Sequence, residues 1–457
     1  MMATVTVHQA YRFALDPTPR QQGRLASHTG AARFAFNWGL ELVKRRLDDR
    51  AAGRDAQVPW TLAALRREWN QAKHEVAPWW PENSKEAYSS GLDGLARALK
   101  NFTDAKQGRR QGARMGFPRR RRTGRARDAC RFTTGVIRVA VDRHHVALPR
   151  LGPIRTHEST RKLARRLEQG SARILSATVS RQGGRWFVSF TCQVQRAVRC
   201  PRWPEATTGV DVGVRHLAVL SNGEVVANPA PLHKAQRRLR RLNRQLARRR
   251  GPVAPDGTTR PPSMGWLEAK HGLGRVHAKV AGVRRNALHH LTSTLAATYG
   301  TVVVEHLNVA GMLRNHRVAR RIADAGFGEL RRQLGYKTRW AGGVLVQADP
   351  FYPSSKTCSG CGHVKAKLPL SERTYRCEHP GCGLEVDRDL NAARNLAQLV
   401  VSVAGSGPET PNARGADTRP GLAGQTATNR EAGTGRRPDK TGTVGAQAPT
   451  VRITVTR

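Results

Sequence analysis

Residues 358–396 read CSGCGHVKAKLPLSERTYRCEHPGCGLEVDRDLNAARNL. Cys358-x-x-Cys361 and Cys377-x4-Cys382 have the spacing of two zinc knuckles, with Gly360, Gly362, Gly381 and Gly383 where the backbone must fold tightly round a metal. Four thiolates so spaced predict a closed, tetrahedral, structural Zn²⁺ site with no position open for chemistry. Such binding contributes on the order of 10–16 kcal/mol, enough to hold a ribbon that has almost no core. Two disulfides or four unrelated thiols are the competing reading, disfavoured because reducing compartments seldom keep disulfides. Asp387-Arg388-Asp389 then opens a helical stretch, Asn391–Leu396. Acids at a helix N-terminus suit its dipole, and capping accounts for one of the two. Two carboxylates beside a metal ribbon in so basic a chain also point to Mg²⁺ ligation, which needs partners elsewhere.

The chain has 457 residues, room for two to four domains. Its 79 Lys+Arg against 33 Asp+Glu give a net charge of +46. A charge that large repels itself unless a polyanion neutralises it, so a long nucleic-acid contact is expected. Composition alone equally allows a ribosomal or other basic binding protein. Cys130, Cys192 and Cys200 are scattered outside the ribbon, as in a reducing, intracellular protein. The start MMATVTVHQAYRF has no apolar signal core, and no run is apolar enough to span a bilayer. A soluble, intracellular protein without membrane partners is expected.

Thr4 to Leu15 alternates as a strand does, and Thr18-Pro19-Arg20-Gln21 makes a capping box with proline at the first helical position. Further helices are predicted over Thr61–His74 and Ser84–Ala105, the latter with Ala87, Leu92, Leu95, Leu99 and Phe102 at helical spacing. Trp60, Trp69, Trp79 and Trp80 read as core and junction residues before base-stacking ones. The stretch GRRQGARMGFPRRRRTGRARD, residues 108–128, reads as a solvated loop or a phosphate-binding segment centred on Arg119, Arg120, Arg121 and Arg122. Strands are predicted at Val136–Val141, His145–Leu148, Ile174–Ser180 and Trp186–Gln193. With the first strand they predict a small β-barrel, residues 1–15 and 129–200, carrying an inserted helical lobe, 16–128. Val198–Thr207 reads as a linker.

From Thr208 the character changes. TGVDVGVRHLAVLSNGEVV reads as strand, turn and strand, an Asn222-Gly223 hairpin turn, and a third strand. HKAQRRLRRLNRQLARRR is a long helix with Leu239, Leu242 and Leu246 on one face. The rest is positive, and Arg237, Arg238, Arg240, Arg241, Arg244 and Arg248 are its candidate backbone contacts. A second helix runs through His277–Tyr299, TVVVE is a buried strand ending in Glu305, Phe327–Ala341 is helical and Val344–Gln347 is a strand. The last helix runs to about Val401, and residues 402–457 read as a disordered tail.

Three acids then stand out: Asp211 in an apolar strand, Glu305 ending another, and Asp389 opening the helix after the ribbon. A carboxylate in such a strand is costly unless paired or metal-bound. The order strand, hairpin, helix, strand–Glu, late helix–Asp is that of an RNase H-like fold. There, three carboxylates meeting at one sheet edge can hold two Mg²⁺ about 3.5–4 Å apart for in-line phosphodiester hydrolysis.

GVDVGVRHLAVLSNG, VVVEHLNVAGM, and the cysteine ribbon running into DRDLNAARNLA resemble the TnpB family encoded by bacterial insertion sequences. YRFALDPTPRQQ, GAARFAFNWGL, GFPRRRR and RFTTG extend the resemblance over nearly everything but the tail. The resemblance implies an RNA-guided DNA endonuclease related to type V CRISPR effectors, with catalytic acids at Asp211, Glu305 and Asp389. Asp389 is favoured over Asp387 because the family's acid stands two before the asparagine that here is Asn391. It implies an α/β multidomain protein, cytoplasmic and nucleoid-associated in a prokaryote. A β-barrel wedge domain carries a helical recognition lobe, and a RuvC-like domain, 208–357 and 383–401, is split by the zinc ribbon, 358–382. Guide RNA from the element's own end would pair with double-stranded target DNA beside a short motif that the protein reads. The ribbon departs from the family in having four residues between Cys377 and Cys382, which brings His379 in as an alternative ligand. A nuclease-silent, RNA-guided DNA-binding regulator or transposition accessory is the alternative function; the intact acids speak against it.

Overall fold

The computed structural model describes residues 4–405, apart from 111, 113, 255, 256, 259 and 370, together with the strand Thr454–Thr456. It divides into two units, Met1–Arg199 with Ala230–Asn286, and Cys200–Pro229 with Ala287–Arg457.

In the first unit β1 (Thr4–Asp16) leads into α1 (Pro19–Ala51). The Thr18 hydroxyl accepts from the Gln21 N–H, and the Gln21 side chain accepts from the Thr18 N–H, so the expected capping box sets the helix start. Next come α2 (Leu62–Val76) and α3 (Lys85–Lys106). Gly91 lets α3 cross α1 closely: a Cβ there would stand 2.1 Å from the Ala32 carbonyl oxygen. Leu92, Leu95 and Leu99 thereby enter one apolar core with Phe36, Leu40 and Leu65.

The chain continues through β2 (Ala129–Phe132), β3 (Arg138–Val139), β4 (His145–Leu148), β5 (Gly152–Thr156), α4 (Arg161–Glu168), β6 (Ala172–Gln182) and β7 (Arg185–Ala197). These strands and β1 pair antiparallel in the order β2-β6-β7-β1-β5-β4-β3, with no closing pair between β2 and β3 among the described residues. Of the expected strand Val136–Val141 only β3 forms. The Asp142 carboxylate accepts from the His144 and His145 N–H groups and turns the chain, leaving Val141 exposed.

The second unit opens with β8 (Trp203–Asp211), β9 (His216–Leu220) and β10 (Val225–Ala227). The second half of the expected linker is therefore strand: Trp203 is in register with Tyr299, and their rings sit 5.6 Å apart. The chain then returns to the first unit for α5 (Pro231–Arg248) and most of α6 (Met264–Thr298), and from the end of α6 the second unit continues with β11 (Tyr299–Val304), α7 (Val309–Met312), α8 (Ala319–Ala325), α9 (Phe327–Trp340) and β12 (Val344–Gln347). A small hairpin of β13 (Thr374–Arg376) and β14 (Glu385–Asp387) runs into α10 (Arg388–Gly405), and β15 is Thr454–Thr456. The sheet order is β10-β9-β8-β11-β12-β15, with β8, β11 and β12 parallel and the other pairs antiparallel. Of the tail expected to be disordered, 406–453 and 457 lie outside the described residues, while Thr454–Thr456 pairs with β12. Among the described residues no helix is long and apolar enough to cross a membrane.

Candidate functional site

Parallel strands β8 and β11 end side by side. Val210 is in register with Val304, so the next residues along are Asp211 and Glu305. The third acid arrives on α10, and Gly209 is the reason it can. A Cβ at Gly209 would lie 1.9 Å from the Ala393 carbonyl oxygen and 2.6 Å from the Ala397 nitrogen, so helix backbone rests directly on strand backbone. Asp389, one turn before Ala393, is thereby brought to the strand ends. Asp387 does the capping: its Oδ1 accepts from the N–H groups of Asp389 at 2.9 Å and Leu390 at 3.0 Å.

Asp211 and Glu305 sit among like charges. Burial, then the Glu305 and Asp389 charges, push the Asp211 carboxyl well above the ordinary range, with Arg388 opposing. Burial chiefly raises Glu305 too; the Ser354 hydroxyl, which donates to Glu305 Oε1, and Arg388 pull it down, and Asp389 adds to the rise. The nearby cation, Arg388, donates Nη1 to the carbonyls of Pro369 at 3.3 Å and Glu372 at 3.5 Å, and its buried Nε has no hydrogen-bond partner. Crowded, desolvated carboxylates of this kind are a donor set suited to hard divalent cations. They do not form a single tight cluster. Among the described residues only the four ribbon cysteines put three or more potential ligand atoms all within 4.8 Å of one another, so the carboxylates spread wider than one ion's shell.

Those thiols fit a tetrahedral metal. Cys358 Sγ is 3.7 Å from Cys382 Sγ, and Cys361 Sγ is 3.5 Å from Cys377 Sγ. Zinc–sulfur bonds of about 2.3 Å at tetrahedral angles would put sulfurs about 3.8 Å apart. The N–H groups of Gly360 and His379 point to Cys358 and Cys377 sulfurs at 3.4 and 3.5 Å, as donors that stabilise metal-bound thiolates do. Burial raises the Cys358 thiol, but N–H groups of Cys361 and Gly360 outweigh it and bring it to about 7. The expected alternative ligand, His379, stays outside the four-sulfur group, its ring 5.6 Å from that of His363. Hairpin register pairs Arg376 with Glu385 and Thr374 with Asp387, so the ribbon continues past Cys382 to the start of α10.

In the first unit, Arg119, Arg120 and Arg122 are exposed and, with Arg121, Arg125 and Ala126, line a hollow of about 480 Å³. Arg121 has a packing role. Its guanidinium lies 3.7 Å over the Phe36 ring, and Asn37 bonds its backbone N–H at 2.7 Å and carbonyl at 3.0 Å. On α5 all six candidate arginines, Arg237, Arg238, Arg240, Arg241, Arg244 and Arg248, are exposed, while Leu239 is buried and Leu242 faces Gly272 of α6. Sequence reasoning missed a second hollow, about 320 Å³, lined by Arg66, Lys73, Trp80, Lys85 and Thr133 among others. Lys73 Nζ stands 4.4 Å over the Trp80 ring, and Glu86 fastens the segment after β2 to α3 by accepting from Thr133 and Thr134. Its members come from separate segments with no shared spacing, so the density of cations beside a tryptophan was the only signal.

Three family models match the chain: one described as "Probable transposase" over residues 189–316, a "Cas12f1-like, TNB domain" over 327–396, and a "Helix-turn-helix domain" over 2–50. The last name does not describe this chain, where that stretch holds one strand and one helix of 33 residues. A Mycobacterium tuberculosis protein, whose name gives it as a candidate RNA-guided DNA endonuclease, is 42% identical over 439 residues, 91% of this chain and 92% of its own. The Escherichia coli K12 protein InsQ, named in the same way, is 31% identical over 85% of this chain and 91% of its own. A cryo-EM structure of a Cas12f1–sgRNA–target DNA complex superposes at a TM-score of 0.46 with 14% identity, covering 86% of this chain and 99% of that one.

A mixed α/β, multidomain chain with such relatives falls in the class of nucleases. More narrowly, it belongs to the TnpB family of insertion-sequence proteins, the OrfB proteins of IS605 type, to which the sequence bore its resemblance.

Proposed function

We propose that the protein is an RNA-guided DNA endonuclease of a transposable element, cutting with Asp211, Glu305 and Asp389 as the ligands of two Mg²⁺ ions. The observation that carries this reading is the register of β8 and β11, which sets Glu305 beside Asp211 where α10 delivers Asp389. Bound Mg²⁺ would supply an activated water and stabilise charge on the leaving oxygen. The chain's own part is to hold three carboxylates at fixed strand and helix ends, so that little reorganisation is left for the reaction. A water oxygen bonds to phosphorus, the bond from phosphorus to the 3′-oxygen breaks, and that oxygen leaves with a proton as a hydroxyl.

The same reading assigns the other parts. The second unit's larger sheet with α10 is the RuvC-like domain, and the four-thiol segment is a structural zinc ribbon. The first unit's sheet is the wedge domain, and α1–α3 form the recognition lobe. Arg119, Arg120 and Arg122, with the exposed arginines of α5, track phosphates of guide RNA and heteroduplex. The hollow holding Lys73, Trp80 and Lys85 is suited to reading a motif beside the target, since it joins cations to an aromatic face. Acting on chromosomal targets, the protein would sit at the nucleoid.

The experiment is cleavage of a plasmid library randomised beside a programmed target, with the protein co-expressed with its element's flanking RNA. Wild type should cut only with Mg²⁺ and guide. Asp211→Ala should bind RNA and target without cutting. Guided binding by wild type with no cutting in Mg²⁺ would transfer the role to a regulator of transposition.

A further inference from the structure

We propose that Ser354 is the positioning residue for Glu305, and that Asn391 and Asn395 of α10 hold it in place. This rests on the reading of Asp211, Glu305 and Asp389 as Mg²⁺ ligands.

The side chain of Ser354 is buried, and its hydroxyl donates to Glu305 Oε1. A carboxylate fixed at one oxygen cannot swing about its last torsion, so its other oxygen is aimed. The Ser354 backbone is fixed in turn. Asn395 Nδ2 donates to the Ser354 carbonyl at 2.7 Å and to the Thr357 carbonyl at 2.6 Å. Asn391 Nδ2 donates to that same Thr357 carbonyl at 2.7 Å, and Asn391 Oδ1 accepts from the Ser359 N–H at 2.9 Å. Both asparagines are fully buried. Four residues apart, they share one face of α10, and Asp389 stands two residues before the first of them. One helix therefore carries an acid of the site and clamps the loop that orients another. Cys358 lies inside the clamped segment, so the first zinc knuckle shares the same support. Nothing in the helix, strand or capping pattern calls for two buried asparagines here; the loop carbonyls do.

Outer-shell partners of metal ligands typically change metal affinity or activity about 10–100-fold when removed. The test uses full-length protein with its guide RNA. Cleavage is titrated with Mg²⁺, Mn²⁺ binding to the guide–target complex is followed by EPR against Glu305→Ala as baseline, and melting is recorded. Ser354→Ala should raise the Mg²⁺ half-saturation about 10-fold or more and weaken the Glu305-dependent Mn²⁺ signal, with target binding and melting temperature near wild type. Ser354→Thr, which keeps the hydroxyl, should restore both. Asn395→Ala should shift the Mg²⁺ curve the same way while also lowering the melting temperature. An unchanged Mg²⁺ curve and Mn²⁺ signal in Ser354→Ala, alongside a dead Asp211→Ala, would overturn the positioning role and leave the acid assignment standing. Cutting by Asp211→Ala would overturn the acid assignment and this inference with it.

Discussion

Gly209→Ala is the most direct probe of how the fold makes the site. A methyl at this position would sit 1.9 Å from the Ala393 carbonyl oxygen. An ordinary carbon–oxygen contact is about 3.3 Å, so α10 would have to withdraw by about 1.4 Å or the strand would have to bend. Neither is easy, because the atoms met are backbone and the helix is pinned by buried Asn391 and Asn395. Overpacking of this kind costs about 1–3 kcal/mol, and at the upper end the melting temperature should fall by roughly 6–12 °C. The functional loss should be larger than the stability loss. Asp389 rides on the displaced helix, and a shift of about 1 Å in a catalytic group can lower the rate about 100-fold. The assay pairs thermal melts with guided cleavage at saturating Mg²⁺ and a target-binding measurement. Gly328→Ala is the control: a Cβ there meets nothing within 4 Å, so it should be neutral or slightly stabilising. Wild-type melting and cutting by Gly209→Ala would refute the close strand–helix contact, and with it the account of how Asp389 reaches the strand ends.

The ribbon predicts about one Zn²⁺ per chain, released by thiol-modifying reagents, and Cys361→Ser should lower both metal content and melting temperature; intact values for both would remove the zinc site. Arg121 and Arg120 should separate. Arg121→Ala, which uncovers Phe36, should lower the melting temperature, whereas Arg120→Ala should leave it alone and flatten the salt dependence of RNA binding; the reverse pattern would exchange their roles. Hydrogen bonds from Arg332, then Gln333, hold the Glu329 carboxyl down at about 2. A depressed folded value means stabilisation present above the ordinary carboxylate range and lost as pH falls toward 2. Glu329→Gln should therefore lose less stability than wild type between pH 5 and 2.5 in urea melts, by a small amount since the pair is exposed; parallel loss would show that the pair adds nothing.

The parts legible in the sequence were those fixed by local chemistry. Thr18 and Gln21 spell out a capping box, Cys358 to Cys382 a four-thiol spacing, and Val302–Glu305 an apolar strand closing on a carboxylate, and each is found where it was expected. What was not legible depended on tertiary neighbours. Trp203 to Thr207 has proline and glutamate in it and reads as linker, yet it is strand because β11 lies alongside. Arg121 looks like its three neighbours in sequence and differs only because Phe36 and Asn37 lie beneath it. Asn391 and Asn395 look like ordinary polar helix residues until the carbonyls of Ser354 and Thr357 are placed against them.

In a chain of net charge +46, stability alone would place arginines round any desolvated carboxylate. At the ends of β8 and β11 the opposite is found. Asp211 and Glu305 are raised by burial, Asp389 adds its repulsion to both, and the nearby cation, Arg388, spends its Nη1 on backbone carbonyls. Substituting cations for that deficit would lower the energy of the folded state, so the cluster is a destabilising element that the fold maintains at Gly209 and at the buried asparagines. Such an arrangement makes physical sense where the missing positive charge arrives with the substrate's phosphate, as divalent ions do. The basic surface then has the complementary task. On the proposed reading, exposed arginines on α5 and the 119–122 segment would draw polyanion to the chain, while the carboxylates would repel it until divalent cations neutralise them.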